Sequence, residues 1–318
     1  MKILIIGYGS IGQRHYKNLK KLGHNNTVIF DPFVKPPKKN ENINFTHTLN
    51  QNQLKQFKIV FVCTPNHTHI KYALMAAKAG CHLFIEKPLS HNLKNVNKLI
   101  KLCQHKNIIN MVACNMRFHP CIAFIKKYLN QNKLGSIYSI SHEFGYYLPY
   151  WRPGKDYAKN YAAKKSTGGG IILDDIHEFD LLFWLNNFNP IKTKNLAYGK
   201  ISQLNIQTED ICQAIFKFKN NIIGHISCNY LEQSYTRTAK IIGERGNIEW
   251  DWNQNIVWLK TKSTSKKLSE IKNWDLNQMY IDEIKYFLKC VKEKKYTFNN
   301  FGTAMKTLTT CITKNKYS

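Results

Sequence analysis

"MKILIIGYGSIGQRHYKNLKKLG", residues 1–23, decides the first fold. The apolar run ILII at 3–6 has strand length and is cut at once by Gly7. Beyond it, Ile11, His15, Leu19 and Leu22 recur at three- and four-residue spacing, which puts them on one helix face. Gly7, Gly9 and Gly12 spell GxGxxG at the junction. In that context the first glycine makes the turn, the second lets backbone approach a pyrophosphate, and the third lets the helix pack close. The helix start then offers unpaired N–H groups and its dipole to phosphates. Tyr8, Ser10 and Ile11 complete the candidate cofactor loop. The second apolar run, "NTVIFDPF" (26–33), ends in Asp31. An acid there accepts the adenosine ribose hydroxyls and repels a 2′-phosphate, which favours NAD. Lys35, Lys38 and Lys39 follow closely and keep NADP open.

Strand-like runs continue at "IVFVCTP" (59–65), "HLFIEKPLS" (82–90) and "INMVACNMRF" (109–118), with helical patterns at 67–79 and 92–105 between them. Strands alternating with helices predict an α/β N-terminal Rossmann domain with a parallel sheet, over 1–120. The pattern then changes. Strand-like runs follow at 136–148, 193–202, 210–219, 222–231, 238–252 and 255–261, the later ones separated by hairpin-type turn signals such as KNN and GERGN. They predict an α+β C-terminal domain with a large open mixed or antiparallel sheet, over 121–318. Closing helices are expected near 275–295 and 300–314, free to return to the first domain, and "VKPPKKNEN" (34–42) reads as a polar loop.

The chain has 318 residues, 43% of them apolar, and no transmembrane-length apolar run. No secretory leader is read at its start, and nine dispersed cysteines without a CxxC fit reduced thiols, so a cytoplasmic protein is expected. The net charge of +27 invites nucleic acid as a partner. Yet 42 Lys stand against only five Arg, spread along the chain, and Arg carries most bidentate recognition. No specific nucleic-acid partner and no membrane are expected; a diffuse positive field helps draw in an anionic small substrate.

The motifs "CTPNHTHIKYALMAAKAGCHLFIEKPLS" (63–90), "NMRFHP" (115–120) and "STGGGIILDDIHEFDLLFWL" (166–185), with the GxGxxG start, resemble the glucose–fructose oxidoreductase / inositol dehydrogenase / rhizopine-catabolism (Gfo/Idh/MocA) family. The resemblance implies a nicotinamide-dependent oxidoreductase acting on CH–OH groups of sugars, cyclitols or related compounds. It also implies a homo-oligomer built through the C-terminal sheet. The order "LPYWRPGKDY" (148–157) then "GGGIILDDIHEFD" (168–180) looks like a branch of that family associated with surface-polysaccharide sugars, which would make an activated or sugar-nucleotide substrate suitable. Thr64, Pro65, Asn66, His69, Glu86, Lys87 and Asn115 then join the cofactor site.

Read chemically, Lys87 ends a parallel strand, where ligands bind in this architecture, and can stabilise a developing alkoxide. Oxidising an alcohol needs a base, and His177 is the candidate. On a continuous helix Asp174, three residues earlier, shares its face and orients the imidazole. Asp174, His177 and Glu178 also resemble metal ligands, but no second His or Cys cluster completes a shell, so no metal is expected. Glu178 and Asp180 are read as capping, surface or interdomain contacts, Arg117 equally as a structural ion-pair residue. Glycines 168–170 are read as a close approach to the cofactor. In "GYYLPYWRPGKDYAKNYAAKK" (145–165), Arg152 and Tyr161 are candidate substrate contacts within an aromatic wall. The alternatives are an enzyme with transient redox, glycosidase- or epimerase-like, and a non-catalytic NAD(P)-binding sensor.

Overall fold

In the computed structural model, which describes residues 1–34 and 43–313, the chain divides into two units. The first comprises Met1–Asn115 and Leu276–Thr309; the second comprises Met116–Asp275 and the chain from Thr310.

The first unit holds strands β1 (Ile3–Ile6), β2 (Thr27–Phe30), β3 (Asn44–Thr46), β4 (Ile59–Val62), β5 (His82–Glu86) and β6 (Asn110–Ala113). Its helices are α1 (Ser10–Lys21), α2 (Gln51–Leu54), α3 (His69–Lys78) and α4 (Val96–His105). The sheet order is β3-β2-β1-β4-β5-β6, with every pairing parallel. Every residue of β1, β4 and β6 is buried. That is why these strands read as unbroken apolar runs: both faces of a parallel sheet are covered. Order reverses between β1 and β4, and in open sheets of this kind ligands bind at such a switch point, beyond the strands' carboxyl ends.

The second unit contains α5 (Pro120–Asn130), β7 (Ile137–Gly145), α6 (Ile171–Asp174), α7 (Ile176–Leu185), β8 (Ile191–Gly199), β9 (Ile211–Phe218) and β10 (Ile223–Asn229). It continues with β11 (Thr236–Gly243), β12 (Gly246–Asp251), β13 (Ile256–Lys260) and β14 (Ser265–Glu270). Its sheet runs β14-β13-β12-β11-β7-β10-β9-β8 and is mixed, because β7 and β10 pair in parallel. Along β9, buried Cys212, Ala214, Phe216 and Phe218 alternate with exposed Gln213, Ile215 and Lys217. Period-two burial means one covered face and one open face. Helices α5, α6 and α7 cover the inner face.

Then α8 (Asn277–Glu293) and α9 (Phe301–Ile312) follow. Helix α8 packs on α1, with Phe287 edge-on to Phe61 and Phe84. Strands β3 and β14 were not expected from sequence. One is three residues long and the other, SKKLSE, is a polar edge strand.

Candidate functional site

In the first unit, each glycine of the loop after β1 has a separate reason. Gly7 lies at φ +98°, and a Cβ on it would stand 2.6 Å from the Cys63 carbonyl oxygen. On Gly12 a Cβ would stand 2.0 Å from the Gly7 carbonyl oxygen. Gly9 differs. Its φ is −68°, open to any residue, and a Cβ there meets no protein atom within 4 Å. It starts α1, whose first turn has no side-chain cap and no acid. Gly9 and Ser10 are exposed and Ile11 is half-buried. Bare backbone, free N–H groups and the helix dipole are what a pyrophosphate needs, so the residues present fit a dinucleotide.

Asp31 ends β2, and its carboxylate organises the loop. Oδ2 accepts the Tyr8 N–H at 2.8 Å, and Oδ1 accepts those of Phe33 and Val34 at 2.9 and 3.0 Å. A carboxylate has about four acceptor positions, which leaves capacity for a hydroxyl. Lys35, Lys38 and Lys39 lie outside the described residues.

After β4, the Thr68 hydroxyl donates to Thr64 Oγ1 at 2.7 Å and to the Pro65 carbonyl at 2.8 Å. Pro65 is exposed and Asn66 buried. His69 corrects the expectation of a cofactor contact. Its ring is fully buried between two carbonyl oxygens, Thr64 at 2.7 Å from Nε2 and Pro88 at 2.8 Å from Nδ1. Burial lowers its pKa, against the two carbonyls and Glu86. Glu86 likewise faces the protein: Oε1 lies 2.5 Å from His15 Nε2, and Oε2 accepts the Lys87 N–H at 3.3 Å. Lys87 follows β5, half-buried, on a cis bond to Pro88. Asn115 Nδ2 donates to Met279 Sδ at 3.7 Å.

In the second unit the helix expected through 171–185 is broken. Helix α6 ends at Asp174, Asp175 takes φ −106° and ψ 40°, and α7 begins at Ile176. The premise that Asp174 and His177 share one continuous helix is therefore corrected. The Asp174 carboxylate accepts the hydroxyls of Tyr161 and of Tyr230, the latter at 3.1 Å. Burial and the Asp174 charge hold the Tyr230 hydroxyl well above its ordinary pKa, so it stays a donor. His177 is 8% exposed, near the start of α7.

The other acids of the cluster are internal, not capping or surface groups. Arg117 pairs with Asp180 in a two-pronged bond, 2.7 Å on each arm. Arg237, on β11, reaches Asp175 at 2.5 Å and Glu178 at 2.8 Å, while His142 lies 3.4 Å from Glu178. Its guanidinium also sits 4.4 Å from the centre of the Phe144 ring. Although burial opposes its charge, Asp175, Tyr235 and Glu178 raise its pKa. The glycines are corrected too. A Cβ on Gly169 would lie 2.4 Å from the Tyr161 and Ala162 carbonyl oxygens, and one on Gly170 2.2 Å from the Glu209 carboxylate. Protein packing accounts for these two.

Arg152 and Tyr161 do come together: the guanidinium lies 5.8 Å from the ring centre. They line a cavity of about 540 Å³ with Trp151, Lys155, Tyr157 and Lys159. Tyr230 and Arg237 were missed from sequence. A signal existed for the second, since an Arg on the inner register of a strand needs carboxylates, and the 174–180 segment carries an unexplained surplus of them. Among the described residues no group of His, Cys, Asp and Glu is arranged to hold a metal ion. No helix among them is long and apolar enough to cross a membrane.

Residues 1–114 match the family model "oxidoreductase family, NAD-binding Rossmann fold", and residues 122–249 match the Gfo/Idh/MocA C-terminal domain. A levoglucosan dehydrogenase from Pseudarthrobacter phenanthrenivorans is 35% identical over 220 residues, 62% of this chain and 56% of that protein. This chain thus spans little more than half of that relative. A myo-inositol 2-dehydrogenase from Thermotoga maritima is 24% identical over 313 residues, covering 92% and 88% of the two chains. Among solved structures, a levoglucosan dehydrogenase complexed with NADH and levoglucosan superposes with a TM-score of 0.83 at 19% identity, over 98% of this chain and 95% of that one. At that identity the likeness speaks for the fold. Two domain models matched in order, on a parallel sheet of order 3-2-1-4-5-6 and a mixed eight-stranded sheet, place the chain in the Gfo/Idh/MocA family of oxidoreductases.

Proposed function

We propose that this chain is an NAD-dependent dehydrogenase or reductase acting at a hydroxyl or keto carbon of a sugar, cyclitol or sugar derivative. The observation that carries the reading is Gly9, a bare residue with no reason inside the protein to be bare. A phosphate laid on an uncapped helix start supplies that reason. Asp31 favours NAD over NADP.

Bound nicotinamide would supply the two-electron chemistry; the chain supplies the rest. Lys87 donates a hydrogen bond to the reacting oxygen and stabilises its negative charge. His177 takes the hydroxyl proton, with Asp174 orienting it. Tyr161 and Tyr230 fix the Asp174 carboxylate. The aromatic and cationic lining of the 151–161 cavity suits a sugar ring bearing a carboxylate or phosphate, which favours an acidic or nucleotide-activated sugar in surface-glycan synthesis. The named relatives act, by their names, on levoglucosan and myo-inositol, which supports the hydroxyl chemistry. Outward-facing Ile215, Ile223 and Ile242 support a homo-oligomer through the open sheet face, which light scattering would measure.

The test supplies NAD or NADP with a panel of neutral, acidic and nucleotide-linked sugars and follows the reduced nicotinamide absorbance. The expected result is reduction of NAD with one sugar class, lowered about 10²- to 10⁴-fold in kcat by either Lys87→Ala or His177→Ala. Sugar conversion without net reduced cofactor would replace this reading by the transient-redox one. NAD binding with no conversion of any kind would replace it by a sensor.

A further inference from the structure

His69 is the first residue of α3, and its ring is fully buried. Its two nitrogens face carbonyl oxygens in opposite directions, that of Thr64 after β4 and that of Pro88 after β5. The β4–β5 ladder has ended by then: its last paired residues are Val62 and Ile85. Past that point the two segments part. One carries the Thr64–Asn66 loop, which the family resemblance places at the cofactor; the other carries Lys87. The imidazole is the link across the gap. Its shape explains the choice, since few other side chains present polar atoms on opposite edges of one rigid ring. An aliphatic residue in its place would leave the buried Pro88 carbonyl and the part-buried Thr64 carbonyl without this partner.

We propose that His69 is a positioning residue that couples the Thr64–Asn66 loop to Lys87, keeping the cofactor loop and the reacting-oxygen donor in register. The coupling rests on the role given to Lys87 above. The bridge itself rests only on the two carbonyl contacts. A neutral ring has one N–H and donates to one carbonyl; a protonated ring donates to both. Burial favours the neutral form, Glu86 and the carbonyls pull towards the cation, and His67 opposes it.

The test compares wild type with His69→Gln and His69→Ala by NAD titration, by kcat, and by circular dichroism for folding. His69→Gln keeps similar bulk and one polar end but cannot span both carbonyls. It is expected to fold, bind NAD about tenfold more weakly and lose about 100-fold in kcat, the cost of a misplacement of about 1 Å. Binding and kcat both within twofold of wild type in a folded His69→Gln protein would overturn the proposal. Should both variants fail to fold, hydrogen exchange on the wild type decides. NAD is expected to protect segments 64–69 and 86–90 together, and protection of only one would overturn the coupling. If wild type turns over no sugar, the proposed function falls, while the NAD titration and the exchange pattern still judge His69.

Discussion

The two units hold their candidate residues by opposite means. The first uses backbone: a glycine loop with φ +98° at Gly7, a helix start left uncapped, and loop N–H groups gathered by Asp31. The second uses buried charge. Arg237 and Arg117 sit against Asp175, Glu178 and Asp180 beneath the broken helix that carries His177. A backbone cradle fails when atoms are added to it. A buried ion network fails when atoms are taken away.

The largest break should come from the network. Arg237→Ala strands two buried carboxylates, and urea unfolding is expected to show a loss of about 3–5 kcal/mol. Next comes the cradle's packing glycine. Gly12→Ala drives a Cβ to 2.0 Å from the Gly7 carbonyl, and the expected loss is about 3 kcal/mol, with NAD binding falling alongside.

A pH test probes the second unit through His119, buried among Trp250, Trp252 and Trp274. Burial lowers its pKa to about 4, from an ordinary 6.5. The unfolded chain therefore binds this proton first as pH falls. Stability from His119 is complete above 6.5 and drains away towards pH 4, by up to about 3 kcal/mol. Thermal melts of His119→Phe should show a shallower acid-side decline than wild type between those values. The smallest effect on folding is the most telling for function. Gly9→Ala meets no protein atom, so stability should change by less than about 0.5 kcal/mol. NAD affinity should nonetheless fall clearly by calorimetric titration. Unchanged affinity would remove the main support for the dinucleotide reading.

The same contrast governs what was legible in the sequence. Backbone requirements leave glycines at fixed spacing, so the cradle and the parallel sheet could be read directly, from GxGxxG and from unbroken runs such as ILII and IVFV. Strands that alternate were legible as well; β3 and β14 were too short or too polar. The second unit's network is a tertiary fact. Asp175, Glu178 and Asp180 look like a wet helix face until Arg237, about sixty positions away, is brought against two of them. The break at Asp175 was equally hidden, because nothing in DDIHEF is a helix breaker. His69 was singled out from its motif but given a ligand instead of two carbonyls, since a sequence does not tell which side of a loop a ring faces.

Helix α8 returns to the first unit, where Phe287 meets Phe61 and Phe84 and Asn277 exchanges side-chain hydrogen bonds with Asn18. On a ribosome that order matters. Residues 1–115 emerge first with a stretch of their apolar core uncovered. The whole intervening segment to 275 must be made before the covering helix arrives. The nascent first unit therefore waits, exposed, for about 160 residues of translation, roughly 8–32 s at typical elongation rates. During that interval it is a natural client for a chaperone.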